Sequence, residues 1–181
     1  IWVGRMVPVK GLDILLKACA LLRDGGLAFN LYLLGDGPLR KSLEYRSQEL
    51  GLVSMVTFLG AVTPERLPDW YRAADVTTLS SHSEGIPNVL RESLACGTPF
   101  VASRVGGIPE LSQDGRDRLV PPGDPASLAH ALAEPLTRPK ANSSFPARLP
   151  GWSESAEELV RILGSLRERR AVTVGRVALA Q

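Results

Sequence analysis

Residues 80–109 read S-S-H-S-E-G-I-P-N-V-L-R-E-S-L-A-C-G-T-P-F-V-A-S-R-V-G-G-I-P. The stretch divides into a polar loop, a helix, a turn, a buried strand and a second turn. Gly85 permits an unusual backbone angle after Glu84, and the fixed φ of Pro87 suits a first helical turn. The helix is therefore expected to start near Ile86 or Pro87. Glu84 then lies in the loop before it, and Glu92 projects from its second turn. The amides of Ile86, Asn88 and Val89 lack intrahelical partners at such an end, and the helix dipole makes it a seat for an anion such as a diphosphate. A carboxylate one turn further in can accept two hydroxyl protons, as a ribose diol offers. Two solvated glutamates on an ordinary amphipathic helix are the plain alternative.

Outward from this stretch, strand and helix patterns alternate. Ile1 to Gly4 reads as the end of a strand, and Leu12, Leu15, Leu16, Cys19 and Leu22 recur at helical spacing up to Gly25-Gly26. Between them lie Arg5 and Lys10. A basic loop between strand and helix is where an open α/β sheet holds an anion, Arg5 as a fork and Lys10 as a point charge. Asn30 to Leu34 reads as a strand ending in the tight turn Gly35-Asp36-Gly37-Pro38. Met55 to Leu59 is a third strand and Asp75 to Ser80 a fourth. Pro64 to Ala74 is a short helix whose Leu67, Trp70 and Tyr71 read as packing. His82 reads as a loop histidine, with neither nucleophile nor orienting partner near it in sequence. Pro99 to Ser103 is a buried strand, and Gly106-Gly107 lets backbone approach either a ligand or a neighbouring helix. Asp124 is the expected cap of a helix from Pro125 to about Leu136. The alternation, without hairpin signals, implies an α/β fold with a parallel sheet covered by helices on both faces.

The chain has 181 residues, 44% hydrophobic and 22% charged, which suits one globular domain with a sizeable core. A formal charge of +2 gives no reason to expect nucleic acid as a partner. Cys19 and Cys96 fit no metal spacing and read as thiols in a reducing compartment. No apolar run approaches the length of a membrane span, and no signal peptide is visible. The sequence opens at Ile1, inside an apolar run, and so reads as a piece of a longer protein.

E-G-I-P-N-V-L-R-E, continued by S-L-A-C-G-T-P-F-V-A-S-R-V-G-G-I-P-E-L, resembles the signature of retaining glycosyltransferases of family 4, the group 1 enzymes. V-G-R-x-x-x-x-K-G at Val3 to Gly11 resembles the same family. The resemblance implies a Rossmann-like domain forming one half of a GT-B architecture, the half that binds a nucleotide-sugar donor. Arg5 and Lys10 would hold the donor diphosphate, with Gly85, Ile86, Pro87, Asn88 and Val89 around it. Glu84 would bind hydroxyls of the donor sugar and Glu92 the ribose. Val62, after the third strand, would border the nucleobase or simply close over the sheet edge. The donor would be a UDP-, GDP- or ADP-sugar, with no required cofactor and no metal site, though magnesium can travel with the diphosphate. The acceptor, a glycan, lipid or small molecule, would be held by an amino-terminal domain outside this sequence.

On this basis 1–136 is the donor domain, 137–151 an irregular connector, 152–167 a terminal amphipathic helix and 168–181 a loose tail. The isolated piece is expected to be inactive, and the parent protein cytoplasmic or on the inner face of the membrane. A non-catalytic nucleotide-sugar binding module and a nucleotide-sugar epimerase of the same architecture are the alternatives.

Overall fold

The structure, a computed structural model, describes residues 1–112, 115–138, 153–154, 156–157 and 159–161. The chain falls into two units, Ile1–Ala147 and Arg148–Gln181. Among its described residues the first holds six strands, β1 Trp2–Val3, β2 Leu31–Leu34, β3 Val56–Gly60, β4 Thr77–Leu79, β5 Phe100–Ser103 and β6 Arg118–Val120. Its helices are α1 Leu12–Asp24, α2 Arg40–Glu49, α3 Leu67–Ala73, α4 Asn88–Ala95, α5 Ile108–Leu111 and α6 Pro125–Thr137.

The strands pair in parallel as β1-β2-β3 and as β4-β5-β6. Ile1 joins the two sets: its nitrogen donates to Val76 O at 2.8 Å, and its carbonyl accepts from Thr78 N at 2.9 Å. The spatial order is therefore β3-β2-β1-β4-β5-β6, that of a doubly wound sheet whose direction of winding reverses between β1 and β4. In such sheets ligands sit outside the carboxyl ends of the strands at that reversal.

Period-two alternation sorts the core. Trp2 and Leu33, partners in register, lie in the cluster that also takes in Leu15, Leu16 and Leu132. Their neighbours Val3 and Leu34 point the other way, onto Tyr71 of α3. Helix α1 packs against α2 and α6, and α3 against α4, so the sheet is covered on both faces as the sequence pattern implies.

Boundaries moved by small amounts. The expected helix from Pro64 is a 3₁₀ turn, Pro64–Arg66, followed by α3. Asp124 caps α6 as expected, its Oδ1 accepting from Ala126 N at 2.9 Å and Ser127 N at 3.1 Å. Helix α6 runs through Thr137, one residue into the expected connector. The rest of that connector from 139, Trp152, Leu163, Leu166 and the tail 168–181 lie outside the described residues. In the second unit, residues 153–154, 156–157 and 159–161 are helical, with Leu159 and Val160 exposed.

Candidate functional site

Two loops leave the sheet at its reversal point, one after β1 and one after β4. The first runs from Gly4 to Gly11 and is braced by the turn after β2. Met6 N donates to Asp36 O at 2.8 Å and Leu39 N to Met6 O at 3.2 Å. Gly35 and Gly37 permit this: a Cβ at Gly35 would overlap the Gly4 carbonyl, and one at Gly37 would crowd the Met6 backbone. The Gly-Asp-Gly-Pro turn therefore supports the loop that carries Arg5. The Arg5 carbonyl accepts from Val7 N at 2.9 Å, while its side chain is exposed and makes no ion pair or hydrogen bond among the described residues.

The loops after β1 and β4 are stitched together. His82 N donates to Val9 O at 2.8 Å, and the Ser80 hydroxyl donates to Gly11 O at 2.8 Å. Gly11, with φ 58°, allows α1 to begin here, where a side chain would strike the Ser80 carbonyl. Across the seam, Lys10 Nζ meets Glu84 Oε1 at 2.7 Å, and the Ser81 hydroxyl donates to the same oxygen at 2.7 Å. The pair is mostly shielded, with side-chain exposures of 21% and 10%. Two residues 74 positions apart in sequence thus form one charged centre at the reversal point.

Helix α4 opens beside Glu84. It starts at Asn88, not at Ile86 or Pro87, because Pro87 takes an extended conformation (φ −73°, ψ 120°) and serves as the N-cap. Asn88 and Val89 open the first turn, and Leu90 N closes it on Pro87 O at 3.2 Å. Gly85 has no positive φ, contrary to the reading that it supplies an unusual angle. Its carbonyl accepts from Gly107 N at 2.8 Å instead. The strained positions lie behind the loop: Gly106 has φ 53°, and a Cβ there would overlap the Glu84 carbonyl. A Cβ at Gly107 would sit 2.6 Å from Ile86 Cγ1. The glycine pair, left open between ligand and neighbour, is what lets the turn after β5 press against residues 84–86. Ile86 itself is exposed, and Pro87 is buried.

Glu92 lies in the second turn of α4 and is exposed, with its Oε2 accepting from the Tyr71 hydroxyl at 2.9 Å. Burial, and the carboxylate beside it, push the Tyr71 hydroxyl well up, so it remains a donor. Val62 is half-buried and packs with Val89 on the cluster of Val3, Leu34 and Tyr71. It thus closes over this end of the sheet. Sequence reasoning missed Ser81 and Tyr71. Ser81 lies three residues before Glu84, in range of a local side-chain bond, whereas Tyr71 gave no signal beyond packing. A hollow of about 350 Å³, lined by Ile1, Asn30, Leu31, Asp75 and Val76 among others, opens at the amino ends of β2 and β4, away from these loops. Among the described residues no group of His, Cys, Asp or Glu could hold a metal ion.

A doubly wound parallel sheet with a charged centre at its winding reversal defines an α/β domain of the ligand-binding Rossmann-like class. Within that class the chain belongs to the glycosyl transferases group 1, whose family model matches residues 1–138. It is 36% identical over 178 residues to a D-inositol 3-phosphate glycosyltransferase of Thermomonospora curvata, covering 90% of this chain and 41% of the relative. A second such enzyme, from Catenulispora acidiphila, is 38% identical over 173 residues, covering 86% of this chain and 40% of the relative. The chain thus spans about two fifths of the curated relatives it matches. Among solved structures, Anabaena HepE in complex with UDP superposes with a TM-score of 0.64 at 30% identity, over 74% of this chain and 38% of that one. The C-terminal domain of a group 1 glycosyl transferase from Francisella tularensis gives 0.67 at 25% identity, over 76% and 74%.

Proposed function

We propose that the chain is the donor-binding half of a retaining glycosyltransferase of family 4, which moves a sugar from a nucleoside diphosphate to an acceptor held by a second domain. The single observation that carries this reading is the Lys10–Glu84 pair, which sets a cation and a carboxylate acceptor at the winding reversal, beside the mouth of α4. The UDP held by the Anabaena relative and the glycosyl transfer of the curated relatives support it.

Breaking the bond between sugar and diphosphate builds negative charge on the phosphate oxygens while the sugar becomes oxocarbenium-like. The chain's task is to meet that charge. Arg5, Lys10 and the amides of Asn88 and Val89 are assigned to the diphosphate, in the loop formed by Gly85, Ile86 and Pro87. Loss of one such donor typically costs ~3 kcal/mol of transition-state stabilisation. Glu84 is assigned to hydroxyls of the donor sugar, Glu92 to the ribose and Val62 to the edge of the base. Glu84 is not a glycosidase nucleophile in this scheme, since that chemistry needs two carboxyls flanking one bond, and a loop carboxylate with a partner in the second turn of a helix does not supply that arrangement by itself. Magnesium can accompany the diphosphate without a protein site of its own.

By itself the chain binds donor and does not transfer. The setting proposed for the parent protein is the cytoplasm or the inner face of the membrane. Titration of the 181-residue chain with UDP, GDP and ADP by calorimetry tests the binding, and failure of all three would overturn the proposal. Joining the chain to the amino-terminal domain of its parent and assaying sugar transfer then separates an enzyme from a binding module.

A further inference from the structure

We infer that Tyr71 is a positioning residue for nucleotide binding: its hydroxyl fixes one oxygen of Glu92 so that the rest of the carboxylate faces a ribose diol. The inference rests on the assignment of Glu92 to the ribose given above. An aromatic in α3 reads from sequence as core, and the ring of Tyr71 does pack on Val3 and Leu34. The hydroxyl does something else. Tyr71 is 1% exposed, yet its OH donates at 2.9 Å to a carboxylate on an exposed residue of a different helix. A buried phenol needs an acceptor, and here the acceptor is a proposed ligand-binding group rather than a core atom.

The tyrosine is itself held. Thr98 Oγ1 donates to Tyr71 O at 2.6 Å, Ser93 Oγ donates to Thr98 O at 2.9 Å, and Ser93 Oγ pairs with Thr77 Oγ1 at 2.7 Å. This buried chain ties α3 to α4, to the turn after α4 and to β4. Glu92 is thereby anchored at both ends, its backbone in α4 and its Oε2 on a tyrosine locked to that same helix. An ionised carboxylate offers about four acceptor sites; Tyr71 takes one, which leaves enough for both hydroxyls of a vicinal diol. Fixing the side chain before the ligand arrives removes an ordering cost that binding would otherwise carry.

The test compares the wild-type chain with Tyr71→Phe. UDP, GDP and ADP are screened by calorimetry, and the tightest is titrated beside its 2′,3′-dideoxy form, with a thermal melt of each variant. Phenylalanine keeps the ring in place, and the partner it abandons is exposed, so the fold is retained. The expected result is a wild-type preference for the diol of at least about tenfold. Tyr71→Phe should lose about fivefold in affinity for the diol form and less than about twofold for the dideoxy form. Equal losses for both ligands, or none for either, would mean that Tyr71 serves packing alone and overturn the inference. Absence of a wild-type diol preference, or its survival in Glu92→Ala, would instead bring down the assignment of Glu92, a failure visible before Tyr71→Phe is read.

Discussion

Replacing Glu84 by glutamine removes one charge and almost no volume, and it should separate the two ligands that share this site. Lys10 is paired with Glu84 at 2.7 Å. At an effective dielectric constant of 20, two unit charges at that distance attract by about 6 kcal/mol before the cost of desolvation. Shielding of both side chains means that most of this is cancelled, leaving the ~1.5–3 kcal/mol net of a hydrogen bond to a charged group. A diphosphate must compete with that pair for Lys10. Glutamine can still accept from Ser81 but no longer neutralises Lys10, so free UDP should bind about 5- to 10-fold tighter, a gain of ~1 kcal/mol or slightly more. UDP-glucose gains the same amount at the phosphates and loses a charge-assisted bond to its sugar hydroxyls. Its affinity should therefore stay level or fall, and the ratio of its affinity to that of UDP should drop at least about fivefold. Isothermal calorimetry with both ligands at fixed ionic strength reads both numbers. A glutamine variant that weakens UDP, or shifts both ligands equally, refutes the reasoning.

Three further outcomes follow from the geometry. Arg5→Ala should leave the melting temperature unchanged, because the side chain is exposed and unpaired among the described residues, and should weaken UDP about 10-fold or more; a loss of stability without a loss of binding would count against its role. Gly106→Ala should cost more stability than Gly115→Ala in urea titrations. Both glycines have positive φ, 53° and 66°, but only the first backs onto the Glu84 carbonyl, while nothing lies within 4 Å of the second. The second should therefore show only the ~1–3 kcal/mol of left-handed strain. Burial pushes the Cys19 thiol from 9.0 up to about 12. The folded state thus holds this proton longer than the unfolded chain, so its contribution is complete below pH 9 and is lost as pH climbs through 12, at ~1.4 kcal/mol per unit between them. Urea stability measured across that range should fall less steeply in Cys19→Ala, with Tyr71, shifted the same way, supplying part of the remainder.

The alternation of apolar strands with the Leu-rich periodicity of α1 made the layered parallel sheet legible, and Asp124 before Pro125 announced the start of α6. The acid pair in residues 80–109 and the basic pair at Arg5 and Lys10 were legible as separate signals. That the two segments share one place followed from the family resemblance and not from periodicity, and the direct pairing of Lys10 with Glu84 depends on β1 lying beside β4, a contact between strands 75 residues apart made through Ile1. Gly85 was misjudged for a related reason. A glycine next to a carboxylate looks like the flexible point, but the close approach is made from the far side, by Gly106 and Gly107. Tyr71 is the strongest case: packing and positioning call for the same residue at the same spacing, and only the direction of its hydroxyl tells them apart.

The central claim is that Arg5, Lys10 and the mouth of α4 serve one diphosphate, and a crystal structure of the domain grown with UDP tests it most directly. The account predicts phosphate oxygens within hydrogen-bond reach of the Arg5 guanidinium, Lys10 Nζ and the amides of Asn88 and Val89, with Glu92 on the ribose. UDP lodged in the hollow at the amino ends of the strands, or bound with Arg5 and Lys10 turned away from its phosphates, would contradict it.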